Sequence, residues 1–218
     1  MTGFDLATVD RLLSTPRAVR RRLDLARPVP RELVLECIRL SQQAPTASNT
    51  QTWRWLVVDD PGKRRELGAL YAQGIPAIQQ SRTQLPADPQ TQRVYESASW
   101  LAEHLALVPL IAIPCVVGRL PEGAPLVLAA SVFGSIYQAV WSFQLALRSR
   151  GLGSTFTTLH LLFEEQARKL LGIPEDVMQA ALLPVAWTKG SDFKPATRPP
   201  AETIVHWNAW RRTDQPAP

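Results

Sequence analysis

From Gly123 to Leu147 the chain carries no charged residue, a run long enough to cross a bilayer and the strongest single constraint on its fold. Ser131, Ser135, Gln138, Ser142 and Gln144 are spread around the helix that this run would form, and no second spanning segment accompanies it. A helix apolar on most sides is also what the centre of a large domain requires. Residues Ala124 to Arg150 are therefore expected to form a buried central helix, with Gly151 just past its end as the C-terminal cap. At 218 residues, 45% hydrophobic and 20% charged, the chain can bury a core around that helix as a single domain over residues 1–218.

The remaining segments mix helices and strands without strict alternation. A short helix around Ala7 to Ser14 precedes the basic run Arg17-Ala18-Val19-Arg20-Arg21-Arg22. Pro28 and Pro30 mark a turn, and a helix with Leu33, Cys37, Ile38 and Leu40 at helical spacing ends before Pro45. Trp53 to Val58 reads as a strand, and Pro61 opens a helix through Leu70 and Tyr71. Ala72 to Gln92, with Pro76, Pro86 and Pro89, reads as a loop or broken helix, and Thr91 to Leu107 as a helix. The apolar run Leu110 to Val117 is a strand whose Pro114 argues for an edge position or a bulge. After the central helix, strands near Leu152 to Thr158 and Ala180 to Trp187 flank a helix from Glu164 to Leu171. The expected class is α+β, a layered sheet flanked by helices.

The C-terminal extension, about residues 189–218, contains Ile204, Val205, Trp207 and Trp210 before a frayed end at Asp214 to Pro218. Such a segment should pack on its own domain or on a partner subunit. Cys37 and Cys115 stand in no metal-ligand or redox spacing and read as buried thiols. Met1 to Ser14 lacks the continuous apolar core of a signal peptide, so a cytoplasmic location is expected and no membrane association.

Most motifs of catalysis are missing. Gly151-Leu152-Gly153 is a lone Gly-x-Gly after a helix, unlike a dinucleotide-binding turn. No Walker lysine motif and no Gly-x-Ser-x-Gly elbow occurs. His104, His160 and His206 lack carboxylates at ligand spacing, so no metal site is expected. The formal charge of +5 favours anionic partners, but the basic residues are not interleaved with aromatics as in a nucleic-acid surface. Two basic sites remain, Arg17 with Arg20 to Arg22, and Lys194 with Arg198. Guanidinium groups suit phosphate, although either site alone also fits a solvated charge run. The loop Thr46 to Gln51 offers hydroxyls and amides, and alone it is turn chemistry.

In combination these segments resemble the nitroreductase family. The matching pieces are Arg17-Ala18-Val19-Arg20, Val29-Pro30, and Ala44-Pro45-Thr46-Ala47-Ser48-Asn49-Thr50-Gln51-Thr52-Trp53. Further along come Asp60-Pro61, the central helix, Gly151-Leu152-Gly153-Ser154, Leu171-Gly172-Ile173-Pro174 and Lys194-Pro195-Ala196-Thr197-Arg198-Pro199. The resemblance implies a homodimer with FMN in a cleft at the subunit interface, and an extension packing on the partner. Arg17 and Arg198 look like phosphate ligands, with Ala18, Val19 and Lys194 beside them, and Arg20 matches the cation near the pyrimidine edge of the flavin. Pro45, Thr46, Ala47, Asn49 and Gln51 match the loop that arrives from the partner. Phe156, Thr157, Thr158 and Leu159 match the segment facing the flavin, the Thr158 backbone amide being the candidate donor to N5. Pro16, Ala18 and Thr52 depart from the family pattern, where arginine, serine and proline are usual.

The implied activity is ping-pong transfer of hydride from NADPH or NADH through the flavin to a nitroaromatic or quinone-like small molecule. No catalytic side chain is needed, because the flavin carries the chemistry. Two alternatives share the scaffold: a flavin-dependent dehydrogenase or oxidase of a specialised pathway, and a non-catalytic flavin-binding protein.

Overall fold

A computed structural model describes residues 3–83 and 88–210; Pro86, Arg212 and the Asp214 to Pro218 end lie outside them. Its central element is strand β2 (Leu110–Val117), paired along one side with β1 (Trp53–Val58). On the other side β2 pairs first with β5 (Leu183–Trp187) and then with β4 (Val177–Gln179). β3 (Leu152–Ser154) adds to β5, and all pairings among the described residues are antiparallel.

β2 is apolar throughout because helices cover both faces of the sheet. Ile111, Ile113 and Cys115 belong to a core with α3 (Pro61–Ala72), α5 (Pro89–His104) and α7 (Glu164–Leu171), through Leu67, Tyr71, Leu101 and Ala167. Leu110, Ala112 and Val116 belong to a second core with α2 (Arg31–Ser41) and α6 (Leu126–Ser149), through Val34, Cys37, Ile136, Val140 and Phe143. This is the period-2 alternation of a strand, with both of its faces dry. Each valine, leucine, isoleucine or phenylalanine among them, fully buried, contributes about 1.5–3 kcal/mol relative to an exposed one.

Pro114 thus lies in an interior strand, not at an edge. Its carbonyl accepts from the Ala180 amide at 2.9 Å, so its ring nitrogen faces the side on which β2 changes partner. Ala112 is opposite Leu183 and Cys115 opposite Gln179, so two residues of β2 face three of the segment that joins β4 to β5. A bulge is therefore present there, and the missing N–H falls where the ladder is already interrupted.

Side-chain caps fix several helix starts. Asp5 accepts from the Ala7 amide ahead of α1 (Leu6–Ser14), Asp60 from Lys63, and Asp88 from Gln90 and Thr91, with Pro61 and Pro89 at the first helical positions. Gly172, with φ +66°, closes α7. The stretch expected to be loop or broken helix contains α4 (Ile75–Thr83). The strand expected over Leu152 to Thr158 stops at Ser154 and survives beyond only as a bridge from Thr157 to Leu182. β4, three residues long, was too short to register as a strand signal.

α6 has the length and hydropathy of a membrane span, but it is packed on the sheet and on α2. Burial is confined to one face of its later turns, narrower than the sequence suggests; Leu126 is 84% exposed and Val127 74%. Of the C-terminal extension, Phe193 packs against the first core, whereas Trp207 and Trp210 are 74% and 85% exposed. Both thiols are free and buried, and burial pushes Cys37 up to about 11 and Cys115 up to about 12.

His160 lies in a short 3-10 turn (Leu159–Phe163) before α7, fully buried, with neither imidazole nitrogen partnered among the described residues. Burial lowers its pKa to about 4, against a smaller opposing pull from the Glu164 carboxylate. Between that value and the ordinary value near 6.5, the unfolded chain binds the proton and the folded chain does not. Stability is therefore complete above about pH 6.5 and falls as pH drops towards 4, by roughly 3 kcal/mol from this group. Chemical denaturation of the wild type and His160→Leu at pH 7.5 and 4.5 checks this: the variant should lose less stability on acidification, and equal losses would refute it.

Candidate functional site

The two basic segments, some 180 positions apart in sequence, meet in space. Val19 donates its amide to the Ser154 carbonyl at 2.9 Å, which lays residues 16–20 along the end of β3. Gly153 allows that approach: a Cβ there would come 2.7 Å from Thr188 Cγ2 and 3.0 Å from Val19. Arg17 donates to the carbonyls of Pro16 and Lys194, tying the early segment to the late one. Arg22 adds a bond to the Lys189 carbonyl at 2.8 Å and an ion pair with Asp192 at 2.6 Å.

A cleft of about 290 Å³ opens beside this junction. Arg17, Ala18, Val19, Phe156 and Arg198 line it, as expected from the sequence, and Pro16 stands at its wall. Sequence reasoning missed the contribution of α6, which supplies Trp141, Gln144 and Arg148. Their spacing of three and four residues places them on one helical face, and a glutamine and an arginine late in an uncharged helix were the available signal. Gln144 donates to Ser154 Oγ at 3.0 Å. Thr155 Oγ1 is buried on the wall with no partner among the described residues. Among the described residues no carboxylate lines the cleft, and its three arginines make its field cationic.

Arg20 is not among the lining residues; its Nη1 donates to Ser97 Oγ on α5 at 3.2 Å. Burial lowers its pKa, and the nearby Tyr71 opposes that. Tyr71 in turn shares a 2.7 Å hydrogen bond with the Thr157 hydroxyl, and burial raises its own pKa. Leu159 packs on Gly74, where a Cβ would lie 2.5 Å from its Cγ. The end of α3 thus fixes the segment Phe156 to Leu159 from behind. Thr158, exposed between these anchors, gives its amide to no acceptor among the described residues.

The loop from Pro45 to Gln51 is not at this cleft. It sits on the middle of α6, where the Ala47 amide donates to Ser135 Oγ at 2.9 Å. It borders a second hollow of about 260 Å³, with Ser131 and Val132. Ser135 and Gln144 are nine residues apart, about 13 Å along a helix rising 1.5 Å per residue. Ser48, Asn49 and Gln51 all have positive φ, at 52°, 54° and 48°. Left-handed backbone costs a non-glycine residue about 1 kcal/mol or more, and clusters of it mark functional loops. Internal bonds hold the shape: Gln51 Nε2 to Asn49 Oδ1 at 2.7 Å, and the Asn49 amide to the Thr46 carbonyl at 3.1 Å.

Comparison with known proteins places this architecture. The chain is similar to a protein named NADH dehydrogenase from Thermus thermophilus, 28% identical over 88% of this chain and 91% of the relative. Among solved structures it resembles an iodotyrosine deiodinase bound to FMN and 3-iodo-L-tyrosine, with a TM-score of 0.69, 23% identity and coverage of 93% and 100%. A BluB-like flavoprotein from Clostridium difficile 630 superposes with a TM-score of 0.70 at 17% identity, covering 95% of this chain and all of the other. Nitroreductase A from Vibrio parahaemolyticus superposes with a TM-score of 0.67 at 16% identity, covering 94% and 77%. The profile of the nitroreductase family matches residues 14–187, and the chain belongs to that family.

Proposed function

We propose that the chain is an FMN-dependent oxidoreductase that passes hydride from NADPH or NADH to an electron-poor small molecule, nitroaromatic or quinone-like, by a ping-pong scheme. Family membership supports the coarser statement, a flavin oxidoreductase. The observation that carries the finer one is the convergence of Arg17 and Arg198 on a single cation-lined cleft with Phe156 in its wall. The relative named NADH dehydrogenase and the FMN-bound deiodinase structure lend support.

The residues fit the cofactor. Guanidinium groups match a phosphate, the orphaned Thr155 hydroxyl offers a buried polar contact, and Phe156 offers an apolar surface for a ring. When bound, FMN supplies the redox centre. In this reading Arg17 and Arg198 hold the phosphate end, with Ala18, Val19 and Lys194 shaping the backbone there. Arg20, half-buried just outside the lining of the cleft, would supply a cation for the negative charge that grows on reduction, and a cation in a drier environment acts more strongly. The Thr158 amide, held by Thr157 and Leu159, is the donor towards the reactive edge. No side chain has to act as an acid or base.

The same proposal makes the protein a cytoplasmic homodimer of one domain over residues 1–218. Pro45, Thr46, Ala47, Asn49 and Gln51 stand too far along α6 to serve their own cleft, so a second copy must deliver them. The exposed Leu126 and Val127 of α6, and Trp207 and Trp210 of the extension, are apolar surface suited to that copy. Three outcomes are expected. Arg198→Ala should weaken FMN retention through gel filtration by roughly tenfold or more, and unchanged retention would remove it from the phosphate site. Stopped-flow mixing with NADH or NADPH should bleach the bound flavin within the turnover time; flavin that stays oxidised with both would count against the reductase. Sedimentation should give a dimer, and a monomer with full flavin occupancy would contradict the shared site.

A further inference from the structure

We propose that Arg148, at the end of α6, is a ligand of the flavin nucleotide's phosphate and supplies the guanidinium that Pro16 cannot. The assignment rests on the flavin reading of the cleft and concerns a residue outside the segments that suggested it. Four observations carry it.

Arg148 lines the same cleft as Arg17, Arg198 and Pro16. Its Nε is buried and has no hydrogen-bond partner among the described residues. Among the described residues, the one polar contact of the guanidinium is long, Nη2 to the Ser191 carbonyl at 3.5 Å. Arg17, by contrast, spends its guanidinium on the carbonyls of Pro16 and Lys194, and Arg198 donates to the Thr197 carbonyl. Among the described arginines of the cleft, Arg148 is therefore the one with a buried, unpartnered N–H.

The surroundings leave its charge uncompensated. Burial lowers the pKa of Arg148, and Arg11, Arg22 and Arg17 lower it further, with no carboxylate opposing them. Asp192, the acid of this neighbourhood, is paired with Arg22. Phe193 holds both cations in place, with the Arg22 guanidinium 4.2 Å and the Arg148 guanidinium 4.5 Å from its ring centroid. The C-terminal end of α6 also favours a cation. A cluster of mutually repelling guanidinium groups on a half-buried wall is stabilised by a dianion, and a phosphate monoester has the charge and the acceptors for bidentate contact.

Titration of the flavin-free dimer with FMN and with riboflavin, followed by quenching of flavin fluorescence, tests the assignment, because the two flavins differ only in the phosphate. Wild type should bind FMN far more tightly than riboflavin. Arg148→Gln should lose roughly tenfold or more of that preference with riboflavin affinity unchanged, and Arg148→Lys should keep part of it. An unchanged ratio in both variants would overturn the role of Arg148, as would an equal loss for both flavins, which marks a structural defect. A wild type that prefers FMN while Arg148→Gln matches it sinks this inference alone; a wild type that takes neither flavin sinks the flavin reading with it.

Discussion

Everything in this molecule hangs on a single strand that is dry on both faces. Because β2 alternates between two cores, α3, α5 and α7 must cover one side and α2 and α6 the other. Among the described residues the strand order then ends in β1 on one side and β3 on the other. It is at the end of β3 that the early basic segment docks, through Val19 and Ser154. The cationic cleft is thus a product of the sheet order: the strand that follows α6 lies at an edge, and an edge can accept a segment from elsewhere in the chain.

Much of the fold was legible in the sequence, and the parts that were not have common physical causes. Helices with a proline start and an aspartate cap announce themselves locally, and α3 shows this with Asp60 and Pro61. Pro114 left edge and bulge both open, and the bulge is what forms, because a proline's place in a sheet depends on which side its nitrogen faces, set by a partner sixty-odd residues away. The breadth of burial on α6 misleads for a related reason. Hydrophobicity shows that a surface wants cover, whereas it does not show whether the cover comes from the same chain.

The candidate site divides the same way. Arg17, Arg198 and Phe156 stand together as the sequence suggested, since segments matched in order and spacing carried them. Arg148 and Gln144 were ambiguous because a polar residue in an apolar helix has many meanings until its neighbours are known. Tyr71 was invisible: its hydroxyl matters through Thr157, eighty-six positions on, and no local pattern links the two.

The loop at Ser48, Asn49 and Gln51 has a consequence of another kind. Its left-handed residues are tied by its own side chains and by Ser135 before anything else arrives. The conformational entropy of that shape is surrendered when the chain folds, not when the loop meets its target. Whatever the loop touches therefore meets a preformed surface, and none of the contact energy is drained by ordering it.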